Sequence, residues 1–399
     1  MQLQHADGSA VHLTYCSNIH AGESLTEVME NLHRHIPPIR EKLALEKPFG
    51  LGLRLSAKAA DDLNEPQAIA KMQQILQQHN CYIFTLNGFP YGPFHGTRVK
   101  EEVYLPDWKD RERLRYTNTL ADLFCELLPA EQIGSISTVP GAFKSNVKTT
   151  QDIELMASLF VEHCAHLVTL EEKTGKTIIL ALEPEPCCFL ETVEESIDFF
   201  TNYLFSSNSV EQLQSLLGKE IADPLNVLRK HLTLCLDLCH AAVEYEQAGD
   251  CINELRKANI NIGKLQISAG LRLTNVTVER AVCLKPFIDP VYLHQVIEQH
   301  GEQVNRYADL PLAFEKLVDD DLPREWRVHF HVPIFLDELG EFSSTQFFIE
   351  DALALHKDSP VSPHLEVETY TWDVLPDQYK GLPIDDAIAR ELRWVEGNL

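Results

Sequence analysis

Four widely separated segments each carry a side chain able to bind a cation: Glu183 in ALEPEP, Asp237 in CLDLCH, Gln266 in KLQISAG and Glu368 in LEVETYTW. Each lies at or just past the C-terminal end of an apolar, β-branched run. If those ends converge, two or three carboxylates and an amide oxygen would share one divalent cation. Oxygen-dominated ligands with open positions suit Mg²⁺ or Mn²⁺, and Zn²⁺ becomes possible if a histidine joins them. Buried carboxylates otherwise repel one another, and a cation removes that cost. Alternation puts Ile179, Ala181 and Glu183 on one strand face. Glu185 shares the parity but lies past Pro184, so it is the fallback ligand. Glu366 competes with Glu368, which is preferred because it lies nearer the strand's end.

Histidines and amides supply a second set. Asp237-x-x-His240 places an imidazole just beyond a candidate ligand, where it would touch substrate oxygen or a second metal. His329 and His331 in HFHVP alternate to one side of an extended run, a spacing that can chelate. Asn18 and His20 follow the first apolar run, Arg54 sits in the second, and Asn87 opens the loop NGFPYGPFHG, which ends near His95. Glycine and proline make that loop stiff, and Phe89, Tyr91 and Phe94 could wall a small organic ligand. Thr138 and Lys144 follow the fourth run; Lys144 could meet an anionic group, although most lone lysines are solvated.

The elements that must position these residues alternate along the chain. Strands are expected at 11–19, 49–55, 81–87, 133–139, 177–183, 232–238, 262–268 and 364–372. Between them Leu, Val, Ile and Phe recur at three- and four-residue steps, as helices with one buried face require. Among the expected helices are ESLTEVMENLHRH, DIELMASLFVEHCAHLVTLEEK and HAAVEYEQAGDCINELRKA. Eight strands separated by helices predict a (β/α)8 barrel rather than an open sheet, because chemically capable residues stand at many strand ends instead of one switch point. No GxGxxG or GxxxxGK[ST] motif supports a nucleotide site. The span 271–363 is too long for one barrel connection and is expected to be an insertion after the seventh strand. Within it PVYLHQVIEQHGEQV (290–304) is expected to be helical, and RVHFHVPIF (327–335) an extended, His-bearing flap over the barrel mouth. No linker divides the chain, so residues 1–399 are expected to form one domain with 271–363 as a lid.

The 399 residues are 44% hydrophobic, enough to bury a large core, and carry a formal net charge of −26. That charge repels phosphate backbones and argues against nucleic acid as the main partner. No 18-residue apolar run or basic-then-apolar leader is present, so neither a membrane span nor a signal peptide is expected. The ten cysteines form no CxxC pair and mostly sit in apolar runs, as expected of reduced thiols in the cytoplasm.

LALEPEP, LDLCH, KLQISAG and LEVETYTW, in that order, resemble the xylose-isomerase-like barrels of sugar isomerases, epimerases and endonuclease-IV-type enzymes. The QISAG segment is most similar to hydroxypyruvate-isomerase-type members, where a Gln takes a ligand place that is His elsewhere. The resemblance implies one divalent metal on Glu183, Asp237, Gln266 and Glu368, with Glu183 and Glu368 doubling as an acid/base pair. More narrowly, YCSNIHAGE, TLNGFPYGPFHG, STVPGAFK and HFHVPIF resemble the metabolite traffic protein EboE group. That likeness implies handling of a secondary metabolite beside other proteins of one gene cluster. The expected function is therefore a metal-dependent isomerase or epimerase of a small polyhydroxy carbonyl compound. Its alternatives are a non-catalytic carrier and, less favoured, a phosphodiesterase. The expected substrate contacts are His240, His329, His331, Asn87, His95, His20 and Arg54.

Overall fold

A computed structural model describes residues 1–399 apart from Ala6, Thr97, Asp319 and Asp321. In chain order the strands are β1 (Gln2–Gln4), β2 (Ala10–Tyr15), β3 (Phe49–Arg54), β4 (Cys81–Asn87), β5 (Gly134–Thr138), β6 (Ile178–Leu182) and β7 (Leu232–Asp237). They continue as β8 (Ile262–Ile267), β9 (Ala269–Thr274), β10 (Val296–His300), β11 (Gln303–Tyr307), β12 (Arg324–Val332), β13 (Ser343–Ser344) and β14 (His364–Val367). One sheet runs β1-β2-β14-β8-β7-β6-β5-β4-β3, parallel throughout except for β1 against β2. A parallel bridge between Cys16 and Gly52 brings its β2 and β3 ends together. Eight strands, β2 through β8 and β14, thereby make the barrel, and amphipathic helices cover it.

The barrel lumen is partly polar. Lys264 Nζ lies 2.5 Å from Glu366 Oε2 and donates to Ser137 Oγ at 3.2 Å, with Lys264 and Glu366 fully buried. Lower down, His364 Nδ1 meets Ser135 Oγ at 2.8 Å, and His12 Nδ1 meets the Tyr82 hydroxyl at 2.8 Å. Gly52 makes room for the upper pair: a Cβ there would lie 1.6 Å from Glu366 Oε1.

The connection after β8, the seventh barrel strand, is expanded into a second, antiparallel sheet ordered β11-β10-β12-β9-β13. PVYLHQVIEQHGEQV is not a helix there. It forms the β10–β11 hairpin, whose two-residue connection has Gly301 at φ +59°. The spacing of Leu293, Val296 and Ile297 fits a helix, but His300-Gly301-Glu302-Gln303 is a turn, and β10 is held on both edges by β11 and β12. The flap segment is extended as expected, as the long strand β12, and its register against β9 shifts between Val328 and Val332. Such a bulge re-aims side chains, and His329 and His331 lie within it.

HAAVEYEQAGDCINELRKA is also broken, into helices Leu238–Val243 and Ala248–Lys257, with Tyr245 between them at φ +63°. The Tyr245 hydroxyl donates to Glu325 O on β12, and its ring packs under the Arg327 guanidinium at 4.0 Å, so contact with the inserted sheet offsets the strained backbone. Helix Thr150–Thr174 is long and apolar enough, by length and composition, to cross a bilayer. It packs against helices Arg111–Leu127 and Ser207–Leu217, and 56% of its apolar window is buried.

Candidate functional site

Three carboxylates approach one another at the C-terminal mouth of the barrel. Glu183 follows β6 directly, anchored by its own N–H on Thr138 O, and its Oε2 has no hydrogen-bond partner among the described residues. Asp237 ends β7 and caps the next helix: its Oδ1 accepts from the His240 N–H at 2.8 Å and from Ser268 Oγ at 2.8 Å. Its Oδ2 is buried without a partner. Glu368 follows β14, and its Oε1 accepts from Asn18 Nδ2 at 2.7 Å and Asn87 Nδ2 at 3.0 Å. Gln266, in register with Asp237 on one side and Glu366 on the other, is fully buried, and neither its Oε1 nor its Nε2 has a partner.

Three imidazoles complete the cluster. His240 Nδ1 lies 2.8 Å from Pro184 O, His331 Nδ1 3.0 Å from Glu368 O, and His329 Nδ1 2.8 Å from Gln295 Oε1. Carbonyl oxygens only accept, so each Nδ1 carries the hydrogen and each Nε2 of a neutral ring a lone pair. The Gln295 orientation is set by its Nε2, which donates to Tyr104 Oη, Glu185 Oε1 and Pro186 O. His240 Nε2 and His329 Nε2 then face each other at 3.1 Å, and His331 Nε2 is buried without a partner. Ligand atoms of His240, His329 and His331 lie within 4.8 Å of one another, as do those of Glu183, Asp237 and His240.

Electrostatics sharpen the picture. Burial, with Glu368 and Asp237 nearby, pushes the Glu183 carboxyl well above its usual range, opposed by Lys264. Burial, then Asp237 and Glu366, pushes Glu368 up to about 7. Burial lowers His331 to about 4 and His329 well below the ordinary imidazole value, so both rings are neutral near pH 7. The unprotonated Nε2 atoms of the neutral His329 and His331 rings, buried beside partnerless carboxylate oxygens, are unfavourable by themselves and are satisfied by a cation. The residues present fit a divalent metal. An imidazole-rich half suits Zn²⁺ and a carboxylate-rich half suits Mn²⁺ or Mg²⁺.

Above these groups a pocket opens, lined by Glu183, Glu368, Asn18, Asn87, His240 and His329 below and by aromatic and aliphatic side chains above. Glu185 also lines it, its Oε1 already accepting from the Tyr104 hydroxyl at 2.6 Å. Arg54, His20 and His95 stand outside this pocket. Arg54 pairs with Glu23 at 2.7 Å and, with His20, lines a separate small cavity. His20 stacks on His35 with ring centroids 3.9 Å apart, and His95 lies 3.8 Å from Glu23. Lys144 is occupied by Glu191 and Glu195, and Thr138 Oγ1 accepts from Trp108 Nε1. The sequence reading missed Gln295, which orients His329 directly, Tyr104, which with Glu185 holds the Gln295 amide, and Lys264 beneath the carboxylates. None of the three belongs to a local motif: Gln295 meets His329 across 34 residues, Tyr104 meets Gln295 across 191, and Lys264 meets Ser137 across 127.

No protein-family model matches the chain, and comparison with curated proteins finds no match. Among solved structures, a xylose isomerase-like TIM-barrel protein from Mycobacterium smegmatis in complex with magnesium is 11% identical, covering 99% of this chain and 98% of that one, with a TM-score of 0.52. The IolI protein with a bound zinc atom is 12% identical, with 96% of each chain covered and a TM-score of 0.48. A putative sugar phosphate isomerase/epimerase from Anabaena variabilis is 10% identical, with 98% of each covered and a TM-score of 0.45. At such identities the likeness concerns the fold alone. The architecture is that of a xylose isomerase-like (β/α)8 barrel with an antiparallel sheet inserted after its seventh strand.

Proposed function

We propose that the protein is a metal-dependent isomerase or epimerase that moves a proton within a small hydroxylated carbonyl metabolite. The observation that carries this reading is the pair of opposed His240 and His329 Nε2 atoms beside partnerless oxygens of Glu183 and Asp237, all at one barrel mouth. Donors from Glu183, Asp237, His240, His329 and His331 would hold the metal with a position left open for substrate, and Gln266 and Glu368 would stand beside it. Bound there, it supplies a Lewis acid that polarises the substrate carbonyl. Glu368 would take the proton from the neighbouring carbon, its Oε1 held by Asn18 and Asn87 on the pocket floor. Glu183, also in the pocket floor, returns the proton to the adjacent carbon or the opposite face. The segments that resemble the EboE group in sequence would give the protein a place in secondary-metabolite handling, with 271–363 acting as a lid over the mouth. A carrier without catalysis is the second reading, favoured by the apolar upper wall of the pocket.

Solvent-deuterium incorporation into candidate hydroxycarbonyl compounds by the metal-loaded protein tests the reading. Incorporation that falls by about 10²-fold or more in Glu368→Gln, at unchanged metal content, supports it. Wild-type incorporation by Glu368→Gln overturns the proton-transfer role, and none with any candidate favours the carrier.

A further inference from the structure

The pocket floor and the pocket wall call for different chemistry. The floor presents carboxylates, carboxamides and imidazoles, whereas Phe89, Phe94, Tyr292 and Tyr370 rise above it. Phe94, Tyr292 and Tyr370 form a mutual cluster, with centroids 5.1 Å, 5.5 Å and 5.2 Å apart. Val99, Val103 and Leu293 fill the space beside them. Hydroxyl groups lodged against those three aliphatic side chains would give up water and gain no partner. An apolar ring loses nothing there and gains contact area.

Among the described residues the wall also offers no free cation. There Lys100 is the one Lys or Arg lining the pocket, and its three ammonium hydrogens match three acceptors: Asp309 Oδ2 at 2.6 Å, Tyr292 O at 2.6 Å and Asp289 O at 3.1 Å. A phosphate on the far end of a substrate held by the floor would lie against that wall, where Lys100 is already fully engaged.

We infer that the substrate joins its hydroxycarbonyl unit to an uncharged, apolar group of about phenyl size and carries no phosphate. This rests on the reading above that the floor holds the substrate's oxygens, and it deepens that reading by naming the substrate class.

Calorimetric binding to the zinc-loaded full chain tests it with three probes: 2-hydroxyacetophenone, dihydroxyacetone and dihydroxyacetone phosphate. The expected order is the aryl ketone at least tenfold tighter than dihydroxyacetone, with the phosphate no tighter than dihydroxyacetone. Phe94→Ala should cut aryl affinity at least tenfold and leave dihydroxyacetone unchanged. Val103→Lys, on the pocket rim, should weaken the aryl probe and strengthen the phosphate. Melting curves show whether each variant is folded; if one is not, the other with the wild-type series decides. Equal or tighter binding of the phosphate, or no saturable binding of the aryl ketone, overturns the inference. Deuterium exchange in the same samples separates the two claims: tight aryl binding without exchange keeps this inference and removes the isomerase.

Discussion

At the scale of single residues, the decisive chemistry lies in which nitrogen of each histidine is free. His240, His329 and His331 each spend Nδ1 on a carbonyl oxygen, so their Nε2 atoms converge. Gln295 has no place among the candidate ligands, yet it sets the His329 tautomer, and its own amide is set by Tyr104 and Glu185. Replacing Gln295 with Leu should therefore lower metal affinity by about 10–100-fold, as removal of an orienting partner does elsewhere. Metal titration against a competing chelator reads this; unchanged affinity would mean that Gln295 does not position His329. A matching test concerns the orphaned nitrogen. His331→Ala should lower bound zinc in elemental analysis, whereas His20→Ala, outside the pocket, should not.

At the scale of elements, the site is a joint product of the barrel and the inserted sheet. Strands β6, β7, β8 and β14 deliver Glu183, Asp237, Gln266 and Glu368, and β12 brings His329 and His331 across the mouth. β12 is held by β9 and β10, and β10 is in turn held by its hairpin partner β11. The hairpin turns at Gly301, in the left-handed region, where an added Cβ would meet nothing within 4 Å. Gly301→Ala should thus cost only the backbone term, about 1 kcal/mol, measurable by urea unfolding. A cost of several kcal/mol would mean that the turn makes contacts beyond its backbone shape. The hairpin escaped the sequence reading because its apolar spacing fits both periods, and only pairing with β12 selects the strand.

At the scale of the whole molecule, the barrel is built around buried polar groups as well as apolar ones. His12 and His364 sit low in the lumen, and burial holds them at about 4 and about 3. Unfolded, each would titrate near 6.5. Below that value the unfolded chain binds more protons than the folded one, so stability is full above about pH 6.5 and falls as pH drops toward the folded values. Each histidine contributes a slope of up to about 1.4 kcal/mol per pH unit in that window. Urea midpoints of the metal-free protein should fall between pH 6.5 and 4, and His364→Gln should flatten part of that limb. An acid limb unchanged by His364→Gln would show that other groups set it.

The sequence by itself determined the barrel, the insertion point and which strand ends bear carboxylates. Periodicity is a local property, and a strand's C-terminal residues can be read without knowing their neighbours. It also held His240, His329 and His331 as candidates, through a capping spacing and an alternation. Only the tertiary structure decided that these rings face one another, that Arg54, His20 and His95 stand elsewhere, and that Gln295 and Lys264 belong beside the site. Such proximities depend on ring closure and on a bulge in β12, and no window of sequence contains the residues that meet there.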